Sequence, residues 1–396
     1  MYSLASVREV AYRDPWNQPL QDRLRTLARG RRRVAYFYEL ADNSTFRYRA
    51  YNMANVLNAE GDDVSAGYFF LADLHRLDEI ADLATMLVIC RVRYDHRVAR
   101  LVERFRLRGK RVLFDIDDYV FDTDKVHLVI NTLDLKVDDP LIWHDWFSYN
   151  SRLGATLKLC DAAITTTACL ADRIREFAGI PVAVVPNFMN PEQLALSDRV
   201  YEVKAQQEPG SDGYIHLGYF SGSPSHNRDF AIVAPALEAA LEEDPRLAVV
   251  VVGYIEAGPG LTRFGKRVTR FPFHDYVNLQ RLIGLVEFNL MPLQTNIFTD
   301  CKSELKYFEA AAVGTQSIAS PTCTYRQVIR HGDNGYLAQA HQWFEVIRQA
   351  VADIGQYRAM AERSRADALG KFAWFNQRGA ILRALGLDTD TGSFRA

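Results

Sequence analysis

Short apolar runs alternate with amphipathic stretches along most of the chain. Residues 33–38, 85–90 and 111–114 read as strands, and 67–71 form a further short apolar run. The run at 85–90 is nearly continuous, as expected of a parallel strand covered on both faces. Residues 48–58, 94–107 and 141–159 carry apolar positions at the helical period. Strands follow at 162–166 and 182–185, with a helix at 170–177 between them. The alternation resumes near residue 214. Strands are expected at 215–220, 247–253, 287–293 and 316–320. Helices are expected at 229–241, 276–286, 303–313, 324–330 and 343–351, with a helical tail over about 356–385. Alternation of this kind in both halves predicts an α/β fold of two doubly wound parallel sheets, with ligands at the carboxyl ends of the strands.

Residues 198–213 (DRVYEVKAQQEPGSDG) are polar and contain Pro209-Gly210. They read as a linker. The expected division is a basic arm at 1–32, a first domain at 33–197, the linker at 198–213, a second domain at 214–372 and a tail at 373–396. In the arm, residues 21–33 hold six arginines against Asp22, and Leu20, Leu24 and Leu27 share one helical face. Such a helix can lie on an anionic membrane surface, or can simply be solvated ahead of the first strand.

Composition narrows the class. With 396 residues, 48% of them hydrophobic, and a net charge of −2, the chain can bury large cores and is no broadly basic nucleic-acid binder. Cys90, Cys160, Cys169, Cys301 and Cys323 form no CxxC pair, so neither a disulfide framework nor a zinc site is expected. The N-terminus lacks a secretory apolar core, and the stretch 247–255 is far short of the ~20 residues that span a bilayer. A cytoplasmic protein is expected.

Four segments carry candidate chemistry. Asp115, Asp117 and Asp118 crowd the end of a strand, where carboxylates hold a metal, bind a ligand or share a proton. The loop Ser221-Gly222-Ser223-Pro224-Ser225-His226-Asn227-Arg228 offers hydroxyls, backbone amides and a cation at a helix start, a set that suits phosphate but also makes an ordinary loop. Lys302 and Lys306 share a helix face, and a lysine at a helix N-terminus makes better sense beside an anion; Lys306 with Glu309 could instead be a surface pair. Phe271-Pro272-Phe273-His274-Asp275-Tyr276 either walls a pocket for a flat ring or is core.

The third segment, together with Pro321 and His331-Gly332-Asp333-Asn334-Gly335-Tyr336, resembles the C-terminal domain of the retaining family 4 glycosyltransferases, which have the two-domain GT-B fold. The likeness runs from about Arg33 to Phe372 and is strongest over 214–336. It implies a transferase that takes a sugar from a nucleotide-diphosphate donor to a glycan, glycolipid or similar hydroxyl, in surface polysaccharide or glycoconjugate assembly. It implies that Glu309 holds the nucleotide ribose, as the second glutamate of that family's E-x7-E motif. The donor set it implies is Ser221, Gly222, Ser223, His226, Arg228, Phe273, Lys302, Ser303, Glu304, Leu305, Lys306 and Glu309. Arg228 would meet the diphosphate. Asp117 and Asp118 would lie near the transferred sugar and, with Lys302, carry catalysis; Arg47, Arg49 and Asp117 would face the acceptor.

The first glutamate of the motif would fall at Cys301 and is missing; Glu304 is expected to stand in for it. No protein nucleophile and no cofactor are required, a divalent metal is not expected, and the nucleotide-sugar is the donor substrate. The tail is expected to cross back onto the first domain, anchored by Trp374 and Phe375. The alternatives are a degenerate GT-B scaffold or sugar-binding subunit, a phosphatase using Asp115 as nucleophile, and a DxD metal site of the other glycosyltransferase architecture.

Overall fold

A computed structural model describes residues 1–388 apart from residue 62, residues 223–226 and residues 256–257. Among the described residues, the strands form two six-stranded sheets. The first holds β1 (Arg32–Tyr38), β2 (Val64–Phe70), β3 (Met86–Cys90), β4 (Arg111–Ile116), β5 (Ala162–Thr165) and β6 (Val182–Val184), in the order β2-β1-β3-β4-β5-β6. The second holds β7 (Ile215–Ser221), β8 (Leu247–Gly253), β9 (Val268–Phe271), β10 (Phe288–Met291), β11 (Gln316–Ala319) and β12 (Tyr336–Leu337), in the order β12-β11-β10-β7-β8-β9. Every pairing is parallel. All five residues of β3 are buried, which is why that run lacks polar alternation.

Both orders reverse direction once. The first sheet does so between β1 and β3, the second between β7 and β10. At such a point the following crossovers leave to opposite sides and open a crevice beyond the strand ends. The chain therefore has two crevices, and residues from both line shared cavities.

The division between the halves differs from the polar-linker expectation. Residues 198–205 are the second half of a helix, Pro191–Ala205. Asn190 caps it, accepting from the Gln193 N–H at 2.9 Å, and Pro191 occupies its first turn. It buries Gln193, Ser197, Val200 and Lys204. Lys204 Nζ donates to the Val286 carbonyl and to Thr315 Oγ1, both at 2.6 Å. Its buried polar residues, Gln193, Ser197 and Lys204, are satisfied inside, so its composition understates its burial. Gly284 lets this helix come close, since a Cβ there would sit 2.3 Å from Val200 Cγ1.

The N-terminal segment is a packed strap, not a free arm. Tyr2 N–H donates to Leu285 O at 3.0 Å, Val10 N–H to Asn278 Oδ1 at 2.9 Å, and Trp16 meets Phe46 and Tyr51 edge-on. It thus runs from the second half onto the first. The helix Leu20–Leu27 lies on β2 with Leu24 and Leu27 buried. Arg23 is buried and bonded to Asp73 at 2.7 Å, and Arg31 and Arg32 pair with Asp63. The leucine face that suggested a membrane surface is spent on the core. Among the described residues no helix is long and apolar enough to cross a membrane.

At the other end, the helix Tyr357–Phe372 closes on the second half and the chain turns at Ala373. The helix Arg378–Leu385 then packs against Asn52–Asn58 and β6. Arg378 Nη1 donates to Leu57 O at 2.8 Å. Trp374 packs into the cores, whereas Phe375 stays 54% exposed. Cys169 and Cys323, separated by 154 residues, form a disulfide between the two halves. The spacing predicts no disulfide framework, and it carries no information about a single bridge that only the fold brings together.

Because the Leu27 side chain is fully enclosed, Leu27→Ala should lose about 2–5 kcal/mol of stability. Denaturant unfolding checks this, and cosedimentation with anionic vesicles should show no dependence on that leucine.

Candidate active site

The cleft is built on a buried ion pair. Arg49 lies in a π-helical turn, Arg47–Tyr51, after the β1 crevice. Its guanidinium meets Asp115 at 2.7 and 3.0 Å, with both side chains at 0% exposure. Arg49 also donates to Val185 O at 2.8 Å and Asn187 Oδ1 at 3.2 Å. Arg49 is thus core, correcting its assignment to the acceptor. Asp115 is equally enclosed and cannot attack a phosphate ester, which removes the phosphatase reading.

Asp117 and Asp118 turn the other way, into the cleft. Asp117 accepts from Thr45 Oγ1 at 2.8 Å and from Arg91 Nη1 at 2.9 Å. Asp118 lies 3.2 Å from Arg91 Nη1 and 3.9 Å from Lys302 Nζ. The three aspartates therefore do not converge on one point. Arg91, at the carboxyl end of β3 with φ of 45°, organises this corner and was missed in the sequence. Its signal was present: it directly follows the buried run 85–90.

Across the cleft, β7 ends at Ser221, paired with Gly253. Gly253 has φ of 96°, and a Cβ there would fall 1.9 Å from Ser221 O, so only glycine allows this approach. Ser223 and His226 lie outside the described residues. Ser221, Gly222, Phe273, Leu305, Lys306 and Glu309 line a cavity of about 200 Å³ with Arg47 and Tyr48 from the first half. Phe273, 44% exposed, leans on Tyr254 with ring centroids 5.4 Å apart. At the opposite wall, the Glu309 carboxylate accepts from Tyr48 OH at 2.9 Å and Gln193 Nε2 at 3.0 Å. Arg47 lies between the rings of Tyr48 and Tyr276, 3.9 Å from each centroid. Lys306 Nζ is 5.1 Å from the Tyr219 ring centre, and burial lowers its ammonium pKa to about 8 despite Asp229.

A neighbouring cavity holds Arg91, Asp117, Asp118, Lys302 and Ser303, and shares Tyr48, Gly222, Leu305 and Lys306 with the first. Asn187 Nδ2 donates to Ser303 Oγ at 3.1 Å. Two donor-set residues are not brought in. Glu304 turns away to Lys371 Nζ at 3.5 Å, and burial pushes its carboxyl up against that pull. Arg228 bonds Asp134 Oδ1 at 2.7 Å and Asn131 O at 2.8 Å, so it ties the two halves together instead of waiting for phosphate. Cys301 is core. No carboxylate thus replaces the missing first glutamate from either position.

Removing one partner of the buried pair leaves the other charge stranded. Asp115→Asn should cost about 3–5 kcal/mol in equilibrium unfolding, a loss well beyond that of an exposed pair.

Residues 216–354 match the family model described as glycosyl transferases group 1. No curated protein matches the chain. Among solved structures, HepE from Anabaena in complex with UDP aligns with a TM-score of 0.59 at 14% identity, over 89% of this chain and 99% of that one. WaaG, a glycosyltransferase involved in lipopolysaccharide biosynthesis, aligns at 0.57 and 15% identity, over 89% and 100%. A UDP-forming α,α-trehalose-phosphate synthase from Burkholderia vietnamiensis aligns at 0.56 and 11%, over 91% and 99%. The fold is GT-B, the second half carries a group 1 glycosyltransferase domain, and the protein is a glycosyltransferase.

Proposed function

We propose that the protein transfers a glycosyl group from a UDP-sugar to a hydroxyl of a glycan or lipid-linked glycan, with retention of configuration, in glycoconjugate assembly. The observation that carries this reading is the convergence of Glu309, Lys306, the Ser221–Gly222 strand end and the Phe273 ring on one cavity, within the segment matched by the glycosyltransferase model. A ribose diol fits a carboxylate, a diphosphate fits a lysine ammonium beside a glycine at a strand end, and a flat base fits an aromatic wall. The adjoining cavity, with Asp117, Asp118 and Lys302, takes the sugar and the acceptor hydroxyl. The C1–O bond to phosphate breaks as the acceptor oxygen bonds C1, and the acceptor proton passes to the departing diphosphate. Lys302 and Lys306 stabilise the charge that grows on that diphosphate. Asp117 and Asp118 orient the sugar or the attacking hydroxyl.

A thermal-shift comparison of UDP, GDP, CDP, dTDP and ADP tests the donor site. UDP at 100 times its dissociation constant should add about 2.7 kcal/mol of stability, and Glu309→Ala should abolish that ligand-induced gain. No response to any of the five nucleotides would sink the reading.

The Lys306 ammonium is cationic below about pH 8 and neutral above it. UDP affinity measured by calorimetry should therefore fall as pH rises from 7 to 9, with a midpoint near 8. Lys306→Arg, charged throughout, should flatten that profile.

A further inference from the structure

The cleft does not end at the aspartates. Trp146, on the helix Pro140–Lys158, lines the cavity that holds Asp117, Asp118 and Lys302. The same indole also lines a second, more open groove outside the cleft, with His144, Asp145, Ser148, Tyr149 and Arg152. Trp146 is therefore shared by the two spaces. It is half-buried and packs edge-on to Tyr149, with centroids 5.4 Å apart. Tyr149 OH in turn accepts from Arg91 Nε at 3.1 Å, so this aromatic pair is tied to the residue that holds both aspartates.

The groove's chemistry is specific in what it offers. Its charge is largely settled within the protein. Arg93 is held by Glu39 at 2.6 Å, and Arg152 donates to Tyr94 O at 2.7 Å while lying 3.7 Å from Asp95. What remains is an aromatic floor with hydroxyl, imidazole and carboxylate groups around it. A phosphate-rich chain would need free cations; the exposed apolar residues nearby, Leu141, Trp143 and Phe147, lie on the same helix but outside the lining of this groove. A neutral sugar ring needs what is present: its C–H face covers an aromatic plane while its hydroxyls meet polar side chains at the edge.

We propose that the acceptor is a neutral oligosaccharide of at least two sugar units. The reacting unit lies beside Asp117 and Asp118, and the next unit stacks on Trp146 at the mouth of the outer groove. This rests on the glycosyltransferase reading above and specifies its acceptor. Trp146 then sets acceptor length, and the outer groove carries the growing chain away from the donor.

Neutral mono- to tetrasaccharides and acidic oligosaccharides are immobilised on an array and overlaid with the protein in the presence of UDP; phosphatidylglycerol vesicles form a separate arm. Neutral di- to tetrasaccharides should be retained and the monosaccharides should not. Trp146→Ala should weaken retention about tenfold, in keeping with the loss of one aromatic stacking contact, and Trp146→Phe should restore part of it. The UDP-induced rise in Tm reports that each variant is folded and that its donor site is intact. The proposal is overturned if neutral oligosaccharides are not retained, if monosaccharides bind as well as longer chains, if Trp146→Ala has no effect, or if only vesicles or acidic glycans are retained. A protein whose Tm does not respond to UDP fails at the donor reading, and the acceptor proposal falls with it; a UDP response without glycan retention overturns the acceptor proposal alone.

Discussion

The Arg49–Asp115 pair is the constraint on which the cleft depends. Two charges with no exposure must satisfy each other or destabilise the fold, and the planar guanidinium does so with fixed geometry. One face of Arg49 grips the end of β4, from which Asp117 and Asp118 emerge. Its other donors reach Val185 O and Asn187, the start of the passage into the second half. The turn that carries it also carries Arg47 and Tyr48. One buried interaction thus fixes the direction of the aspartates, the placement of Tyr48 against Glu309, and the point where the chain leaves the first sheet.

The two halves meet largely through polar side chains that also face the cleft. Tyr48 bonds Glu309, Arg47 bonds Gln193, Lys302 approaches Asp118, and Arg228 reaches Asp134 and Asn131. The exposed Arg228 contacts are readily exchanged for water, whereas the Tyr48–Glu309 and Arg47–Gln193 bonds are enclosed. The strap at residues 1–16 and the helix Arg378–Leu385 work differently. They join the halves through buried residues such as Tyr2, Trp16 and Leu385, and Tyr12 and Trp16 also back Tyr276 in the cavity wall.

Much of the fold was legible because parallel strands covered on both faces leave near-continuous apolar runs, as at 85–90 and 247–253. The candidate site was partly legible: Glu309, Lys306, Lys302, Asp117 and Gly222 sit where strand ends and helix starts meet. What misled was direction. Arg47 and Arg49 are two residues apart, yet one lines the cavity and the other is core, because residues i and i+2 of a helical turn face different sides. Glu304 and Arg228 carry the right charge but spend it on Lys371 and Asp134. Residues 198–213 read as a polar linker, yet 198–205 complete a helix that buries Lys204 with its hydrogen bonds satisfied inside. Composition reports polarity, whereas burial depends on partners that only the fold supplies.

Charge balance across the cleft follows from these placements. Asp117 and Asp118 are neutralised largely by Arg91, and Glu309 is stabilised by neutral donors together with the Arg47 guanidinium 4.0 Å away. Lys306 is held differently, against the Tyr219 ring, with its pKa drawn down by desolvation. A desolvated cation gains more from an arriving anion than a hydrated one does, because its hydration has already been lost on folding. The fold thus bears the cost of stripping this lysine, and the carboxylates that act on it are Asp229 and Glu309, not the pair held by Arg91. An anion entering the cavity would therefore meet a cation already stripped of water, even though the chain as a whole carries a net charge of −2.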